Sequence, residues 1–276
     1  MNNIFGTEYP IVCAAMNKLS DANLAIAVHQ AGCFPFLLYN TPDEIRKFVL
    51  KTGSNRFGVF IRRSDFIENK KFWNELIDIK PFAIECINFV ETSYAQLIRK
   101  NGTKLIARVV SLDPYSLENS DILYLKGIES AGTIGHLTTE QLLNEYKVIT
   151  NKPLIVSGSI DSKEKISYYM NQGVDAVVIG SLFAASNESK ILSDVKKKLI
   201  ESNIKNLNHT TYLGKKTLVI GNFIPDLNDS LGHIGLEKGM AGENGHIFFS
   251  ETLNNINEIR TVKEIVQSLT NEYLSA

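Results

Sequence analysis

Cysteine is scarce in this sequence. The three present, Cys13, Cys33 and Cys86, are an odd number without C-x-x-C spacing, and each lies in an apolar run. That pattern excludes a disulfide framework and leaves the expectation of buried free thiols in a reducing cytoplasm. A charge imbalance is also missing: 29 Lys and Arg face 30 Asp and Glu, for a net charge of −1. Without a basic stripe, neither a nucleic acid nor an anionic membrane surface is an expected partner. No stretch reaches the roughly 18 apolar residues of a membrane span. The opening MNNIFGTEYPIV lacks the basic region and apolar run of a signal peptide, so a cytoplasmic location is expected. There is no G-x-S-x-G elbow, P-loop or G-x-G-x-x-G, which disfavours α/β-hydrolases, P-loop NTPases and dinucleotide-binding dehydrogenases. His209, His233 and His246 show no metal-ligand spacing, and no metal is expected. Internal repeats, low-complexity tracts and domain linkers are absent as well.

What is present is an alternation. Short apolar or β-branched runs occupy 10–15, 34–39, 57–61, 82–87, 104–110, 122–126, 154–157 and 176–179, and most are followed by helix-like sequence. One such helix starts at Ser20 or Asp21, repeats its apolar positions at Leu24, Ala27, Val28 and Ala31, and stops at Gly32. Another opens at Thr41-Pro42, with proline near its first turn, and a third runs from Asp161 or Ser162 to Gly173. Strands apolar on both faces and separated by helices form parallel sheets covered by helices. Eight of them in 276 residues suit an α/β fold of the TIM type, a closed (β/α)₈ barrel in a single domain over 1–276. After about Ser186 the alternation fades, and 187–260 reads as a small, less regular, lid-like or helical extension. It holds a helix over 191–202, a short strand at 217–221 and a polar segment over 222–245, either a lid or partly disordered; a last helix follows at 261–273. The run Lys196-Lys197-Lys198 reads as one solvated helix face, and His29 as solvent-facing.

The sharpest local signal is IVSGSIDSKEKISYYMNQGVDAVVIGSLFAA, residues 155–185. A strand runs into Ser157-Gly158-Ser159-Ile160 with a helix behind it, and the next runs into Gly180-Ser181. Glycine lets a ligand approach the backbone, and amides at the following helix starts collect around an anion. Two such turns on consecutive strands match the phosphate site after the seventh and eighth strands of this fold. The plainer reading is that the glycines only make tight strand-to-helix turns.

With Gly173-Val174-Asp175-Ala176-Val177 and Gly180-Ser181-Leu182-Phe183, this segment resembles the FMN-dependent barrels of the nitronate monooxygenase (2-nitropropane dioxygenase-like) family. That family includes the flavin-dependent type II enoyl-ACP reductases, and its pattern here is approximately strand–G-G-I–helix–G-A-D-x-V-x-x-G-T/S-x-F. Tyr9 to Met16, followed by the helix over 25–32, is similar to the family's P-I-I-x-A-P-M opening and its A-x-A-V-x-x-A-G helix. Met240-Ala241-Gly242-Glu243 is similar to its M-A-G-Q, and YLGKK at 212–216 falls where relatives carry G-R-P-x-R. The resemblance implies FMN, with its phosphate on Ser157, Gly158, Ser159, Gly180 and Ser181. It places the flavin ring against Ala15, Met16, Asn17 and Gly132.

One segment departs from the family. Relatives carry G-x-E-A-G-G-H-x-G, whose histidine lies beside the flavin; this chain reads Gly127-Ile128-Glu129-Ser130-Ala131-Gly132-Thr133-Ile134-Gly135-His136. Thr133 replaces the histidine, and a hydroxyl cannot serve as a general base near neutral pH as imidazole does. His136 substitutes for it if 134–136 stay in a loop; if a helix starts there, His136 is an ordinary first-turn residue. Lys126 has two readings: a cation at the flavin's N1–C2 carbonyl edge, or a strand-end lysine reaching solvent. Thr133, His136 and Lys126 are therefore the candidate catalytic positions. The resemblance implies an FMN-dependent oxidoreductase, reduced by NADH or NADPH, that passes a hydride to an activated double bond of a small-molecule substrate. Nitronate oxidation and a catalytically impaired flavin-binding barrel stay open as alternatives, and a homodimer is compatible with the sequence.

Overall fold

The computed structural model describes residues 3–62, 70–87, 92–201, 207–212, 215–221 and 233–270. Eight parallel strands form a barrel: β1 (Ile11–Cys13), β2 (Phe36–Leu38), β3 (Gly58–Phe60), β4 (Ala83–Ile87), β5 (Lys104–Val109), β6 (Ile122–Lys126), β8 (Leu154–Ser157) and β9 (Ala176–Ile179). Their order is β1-β9-β8-β6-β5-β4-β3-β2, and a parallel bridge from Val12 to Phe34 brings β1 back beside β2. Each strand lies inside one of the eight expected apolar runs. The architecture is the TIM-type (β/α)₈ barrel expected from the alternation.

Period-two geometry explains why the strands are apolar throughout. One set of side chains, including Val12, Phe34, Phe36, Ala83, Ile106, Tyr124, Ile155, Ala176 and Val178, forms one buried cluster. The other set, including Ile11, Cys13, Val59, Ile84, Ala107, Leu123, Val156 and Val177, packs with the helices in a second. Phe5 joins the first set, its ring 4.4 Å from that of Phe34. Gly58 is required by packing, because a Cβ there would overlap the Phe36 ring.

The helices begin where side-chain caps stand ready. In α1 (Ala22–Gln30), Asp21 accepts from Leu24 N at 2.9 Å, while the Ser20 hydroxyl instead receives Met16 N at 2.8 Å. Pro42 opens α2 (Pro42–Thr52), and Gly53 ends it in the left-handed region. Next come α3 (Lys70–Ile79), α4 (Thr92–Lys100) and α5 (Pro114–Asn119). In α6 (Thr139–Ile149), Thr138 and Gln141 form a capping box; Ser162 caps α7 (Lys163–Asn171). After the four-residue α8 (Ser181–Ala184) come α9 (Ser193–Glu201), α10 (His233–Met240) and α11 (Val262–Thr270). No described helix is long and apolar enough to cross a membrane.

The C-terminal extension contributes more strand than the sequence pattern indicates. β10 (Leu207–Tyr212), β11 (Lys215–Gly221) and β12 (His246–Ile247) form an antiparallel sheet with β7 (Gly132–Ile134), the latter inserted after β6. Alternation is weak in 207–221, so pairing across distant segments, not local pattern, makes these strands. Of the polar segment at 222–245, residues 222–232 lie outside the described ones, as do 213 and 214 of YLGKK and residues 271–273 of the last helix.

Two surface expectations are corrected by tertiary packing. Lys196 is only 3% exposed; its Nζ donates to Ser186 O at 2.5 Å and Ser189 O at 3.0 Å, satisfying carbonyls left over after α8. Lys197 and Lys198 are the exposed members, Lys197 lying 3.5 Å from Asp194. His29 is half-buried, edge-on to Phe48 of α2 at 5.7 Å, and desolvation lowers its pKa. Cys13 and Cys33 are buried free thiols and Cys86 is partly buried, with desolvation pushing their pKa values up, that of Cys86 to about 12.

Candidate active site

A large cavity opens at the C-terminal mouth of the barrel, about 1090 Å³ including its solvent-filled entrance. On one side it is lined by Ala14 to Asn17 after β1, by Ser157, Ser159 and Ile160 after β8, and by Gly180 and Ser181 after β9. Phe60, Arg62, Ile87, Arg108, Tyr124 and Lys126 line the opposite side, and Ser130 to Gly132 complete the ring. Leu236, Phe248, Ser250 and Thr252 of the extension also line it. The C-terminal strand ends are where a parallel barrel presents its chemistry.

The β8 turn is held by a dense set of hydrogen bonds. Ser157 O receives Thr139 Oγ1 at 2.9 Å and Ser130 Oγ at 3.0 Å, and Ser157 Oγ receives the Tyr124 hydroxyl at 2.8 Å. Glu129 Oε2 accepts from both Thr139 N and Thr139 Oγ1 at 3.1 Å. Gly158 points towards this network and not into the cavity: a Cβ there would overlap Thr139 Oγ1. Ser159 has φ +49°, in the left-handed region where the family pattern carries glycine. Its hydroxyl donates to Glu129 O at 2.8 Å, which offsets part of that cost.

Gly180 differs from Gly158. It caps α8, and a Cβ there would lie 3.5 Å from Ala14 Cβ and 3.9 Å from Met16 Sδ, both ordinary contacts. Packing among the described residues therefore does not demand glycine at 180. Ser181 Oγ receives Ser250 N at 3.0 Å and lies 2.9 Å from Ser250 Oγ, tying the second turn to the extension. On the β1 side, Leu19 N and Ser20 N donate to Met16 O, closing a tight turn. Asn17 Nδ2 is buried without a hydrogen-bond partner, an unmet donor beside the cavity.

The far side carries the charge. Glu85 on β4 (1% exposed) pairs with Arg108 on β5, whose Nε and Nη2 both reach Glu85 Oε1. The guanidinium sits 4.8 Å from the Phe60 ring centre and 5.2 Å from that of Tyr124. Desolvation raises the Glu85 pKa despite this partner, and raises that of Tyr124 to about 12. Lys126, one strand over, is 8% exposed and donates no hydrogen bond to a described residue. Burial, helped by Arg108 and opposed by Glu85, lowers its pKa to about 7.

The three catalytic candidates therefore sit in different places. Lys126 lines the cavity. Thr133 lies on β7, paired with Thr217, and its side chain is outside the described part. His136 is in a loop between β7 and α6, which starts at Thr139, and is exposed and not among the residues that line the cavity. Of the cofactor candidates, Ala15, Met16, Asn17, Gly132, Ser157, Ser159, Gly180 and Ser181 line the cavity, and Gly158 does not. Glu85, Arg108 and Tyr124 escaped the sequence reading. Their signal was present: a lone charge inside the apolar runs FAIECI and LIARVV, at positions that period two turns inward.

No family model matches the sequence, and no curated protein matches it. Solved structures do match over its length. FabK from Thermotoga maritima is 24% identical, with a TM-score of 0.79 over 98% of this chain and 94% of that one. A nitroalkane oxidase from Streptomyces ansochromogenes is 17% identical, with a TM-score of 0.81 over 98% and 96%. The enoyl reductase domain of MlnA from Bacillus amyloliquefaciens is 12% identical, with a TM-score of 0.77 over 98% and 95%. The chain shares their barrel. Enoyl reductases and a nitroalkane-oxidising enzyme, the two kinds the sequence resemblance named, thus both stand among the barrels that share this fold.

Proposed function

We propose that this barrel is an FMN-dependent oxidoreductase of the nitronate monooxygenase and enoyl reductase family, using NADH or NADPH to reduce an activated carbon–carbon double bond. The observation that carries this reading is the free space at Gly180, between Ala14 and Met16, in a cavity whose far side holds Arg108 and Lys126. The residues present fit the cofactor. Gly180 leaves room for a phosphate at the start of α8, and the orphaned Asn17 amide lacks an acceptor that a flavin carbonyl or ring nitrogen would supply. Bound FMN would take a hydride from a nicotinamide and deliver it to the substrate. Ser157, Ser159, Gly180 and Ser181 would hold the phosphate, and Ala15 to Asn17 and Gly132 would bound the ring. Arg108, kept in place by Glu85 and two aromatic faces, and Lys126 favour negative charge in the cavity, the charge that reduction creates. Phe248 and Leu236 limit water access from the extension side.

The absence of histidine at 133 and the exposure of His136 leave no imidazole among the described cavity-lining residues to activate a nitroalkane. This favours reduction over nitronate oxidation. The test is the absorption spectrum of the purified protein after incubation with FMN. A retained flavin band that bleaches with NADH or NADPH, and returns with an α,β-unsaturated thioester, supports the reading. A flavin that stays oxidised with both nicotinamides contradicts it, and oxygen-dependent turnover of a nitronate supports the alternative.

A further inference from the structure

We propose that Lys126 is the proton donor of this site, supplying the proton-transfer group that Thr133 cannot be. The inference rests on the functional reading above and adds a residue role to it. Among the described residues, four titratable side chains line the cavity: Arg62, Arg108, Tyr124 and Lys126. A guanidinium is not a proton-donating acid in proteins, which sets the two arginines aside. The Tyr124 hydroxyl already donates to Ser157 Oγ, and burial holds its proton tightly. Lys126 alone among them combines an exchangeable proton with no described hydrogen-bond partner. Its Nζ also lies beside the replaced position: a Cβ built on Gly132, the residue before Thr133, would be 3.7 Å from it. A proton-transfer group missing from the loop is thus matched by one on the adjoining strand end.

The charged groups around the amine set its titration. Glu85 on β4 favours the ammonium, Arg108 on β5 opposes it, and burial opposes it most. The lowered pKa, about 7, suits a group that must both give and regain a proton near neutrality. In the reaction, hydride addition at the β-carbon of the activated double bond moves the π electrons towards the α-carbon. That carbon takes a proton from the Lys126 ammonium, so an N–H bond breaks as a C–H bond forms. The neutral amine regains its proton from water, and one nicotinamide dinucleotide is oxidised for each double bond reduced.

Lys126→Arg and Lys126→Met separate this role from charge alone, because arginine keeps the charge but cannot release a proton. The readouts are FMN retention, reoxidation of the NAD(P)H-reduced protein by crotonyl thioester in a single turnover, and ¹⁵N NMR of labelled lysine side chains in the flavin-free protein. The proposal expects all three proteins to keep FMN, and expects reoxidation in both variants to fall by about 10²–10⁴-fold. In the wild type that rate falls as pH rises through about 7, and one lysine resonance titrates in the same range; both features vanish in Lys126→Arg. An arginine variant that retains the wild-type rate and pH profile assigns Lys126 a charge role only and overturns the proposal. So does a wild-type spectrum in which no lysine titrates below pH 9. If the wild type retains no FMN, the functional reading itself falls and takes the proposal with it, whatever the NMR titration shows.

Discussion

At Gly158 an added Cβ would overlap the Thr139 hydroxyl, whereas at Gly180 it would meet only Ala14 and Met16 at ordinary distances. Two glycines that look alike in sequence therefore answer to different demands. Gly158→Ala is expected to destabilise the fold by about 1–3 kcal/mol through overpacking, read by denaturant unfolding. Gly180→Leu is expected to unfold at nearly the wild-type denaturant concentration but, on the proposed function, to weaken FMN binding by about 100-fold or more, since the side chain fills the space proposed for the phosphate. Full flavin retention in that variant would mean the cradle lies elsewhere. Lys126 carries a cost at the same scale. Its folded pKa lies below its ordinary value, so between about pH 7 and 10 the unfolded chain binds the extra proton and stability rises with pH. Lys126→Met should thus stabilise the flavin-free protein at pH 7 by roughly 1–3 kcal/mol, a gain that fades as pH approaches 10.

At the scale of elements, a lysine run on α9 divides by burial. Lys196 ties three carbonyls near the end of α8 to α9, with Asn187 O at 3.4 Å as the third, and its own pKa is lowered by burial. Lys196→Ala would leave those acceptors unmet and is expected to cost about 2–3 kcal/mol, while Lys197→Ala changes stability by less than about 0.5 kcal/mol. Thermal melts of the two variants side by side check this. The α6 start is another junction. Thr139, held between Gly127 and Gly158, links the β6 and β8 turns through Glu129 and Ser157. The starts of α1, α2 and α7 were legible because Asp21, Pro42 and Ser162 act on their own backbone neighbours. The burial of Lys196 was not, since it depends on carbonyls seven to ten residues away in another element.

The whole molecule joins a barrel to a small antiparallel sheet through β7 and the cavity residues Phe248, Ser250 and Thr252. Apart from the β1–β2 seam, which the Val12–Phe34 bridge closes, the barrel strands are paired on both sides and packed on both faces, while β10 is an edge strand of a four-stranded sheet. Amide exchange is expected to be at least about tenfold faster in β10 than in β5 or β6. Added FMN should slow exchange at Gly132 and Phe248, which border the cavity, more than in α2 on the barrel's outside. Hydrogen-exchange mass spectrometry with and without FMN reads both, and equal protection by FMN at α2 would place the ligand elsewhere.

The eight barrel strands and their order along the chain, the barrel and the two glycine turns were determined by the sequence alone, because period-two runs, caps and glycines act over a few residues. The inward turn of Glu85, Arg108 and Tyr124, the split between Gly158 and Gly180, and the seclusion of Lys126 were decided only by the tertiary structure. Each depends on which face of a strand meets which neighbour after closure, and on the low-dielectric space that closure creates.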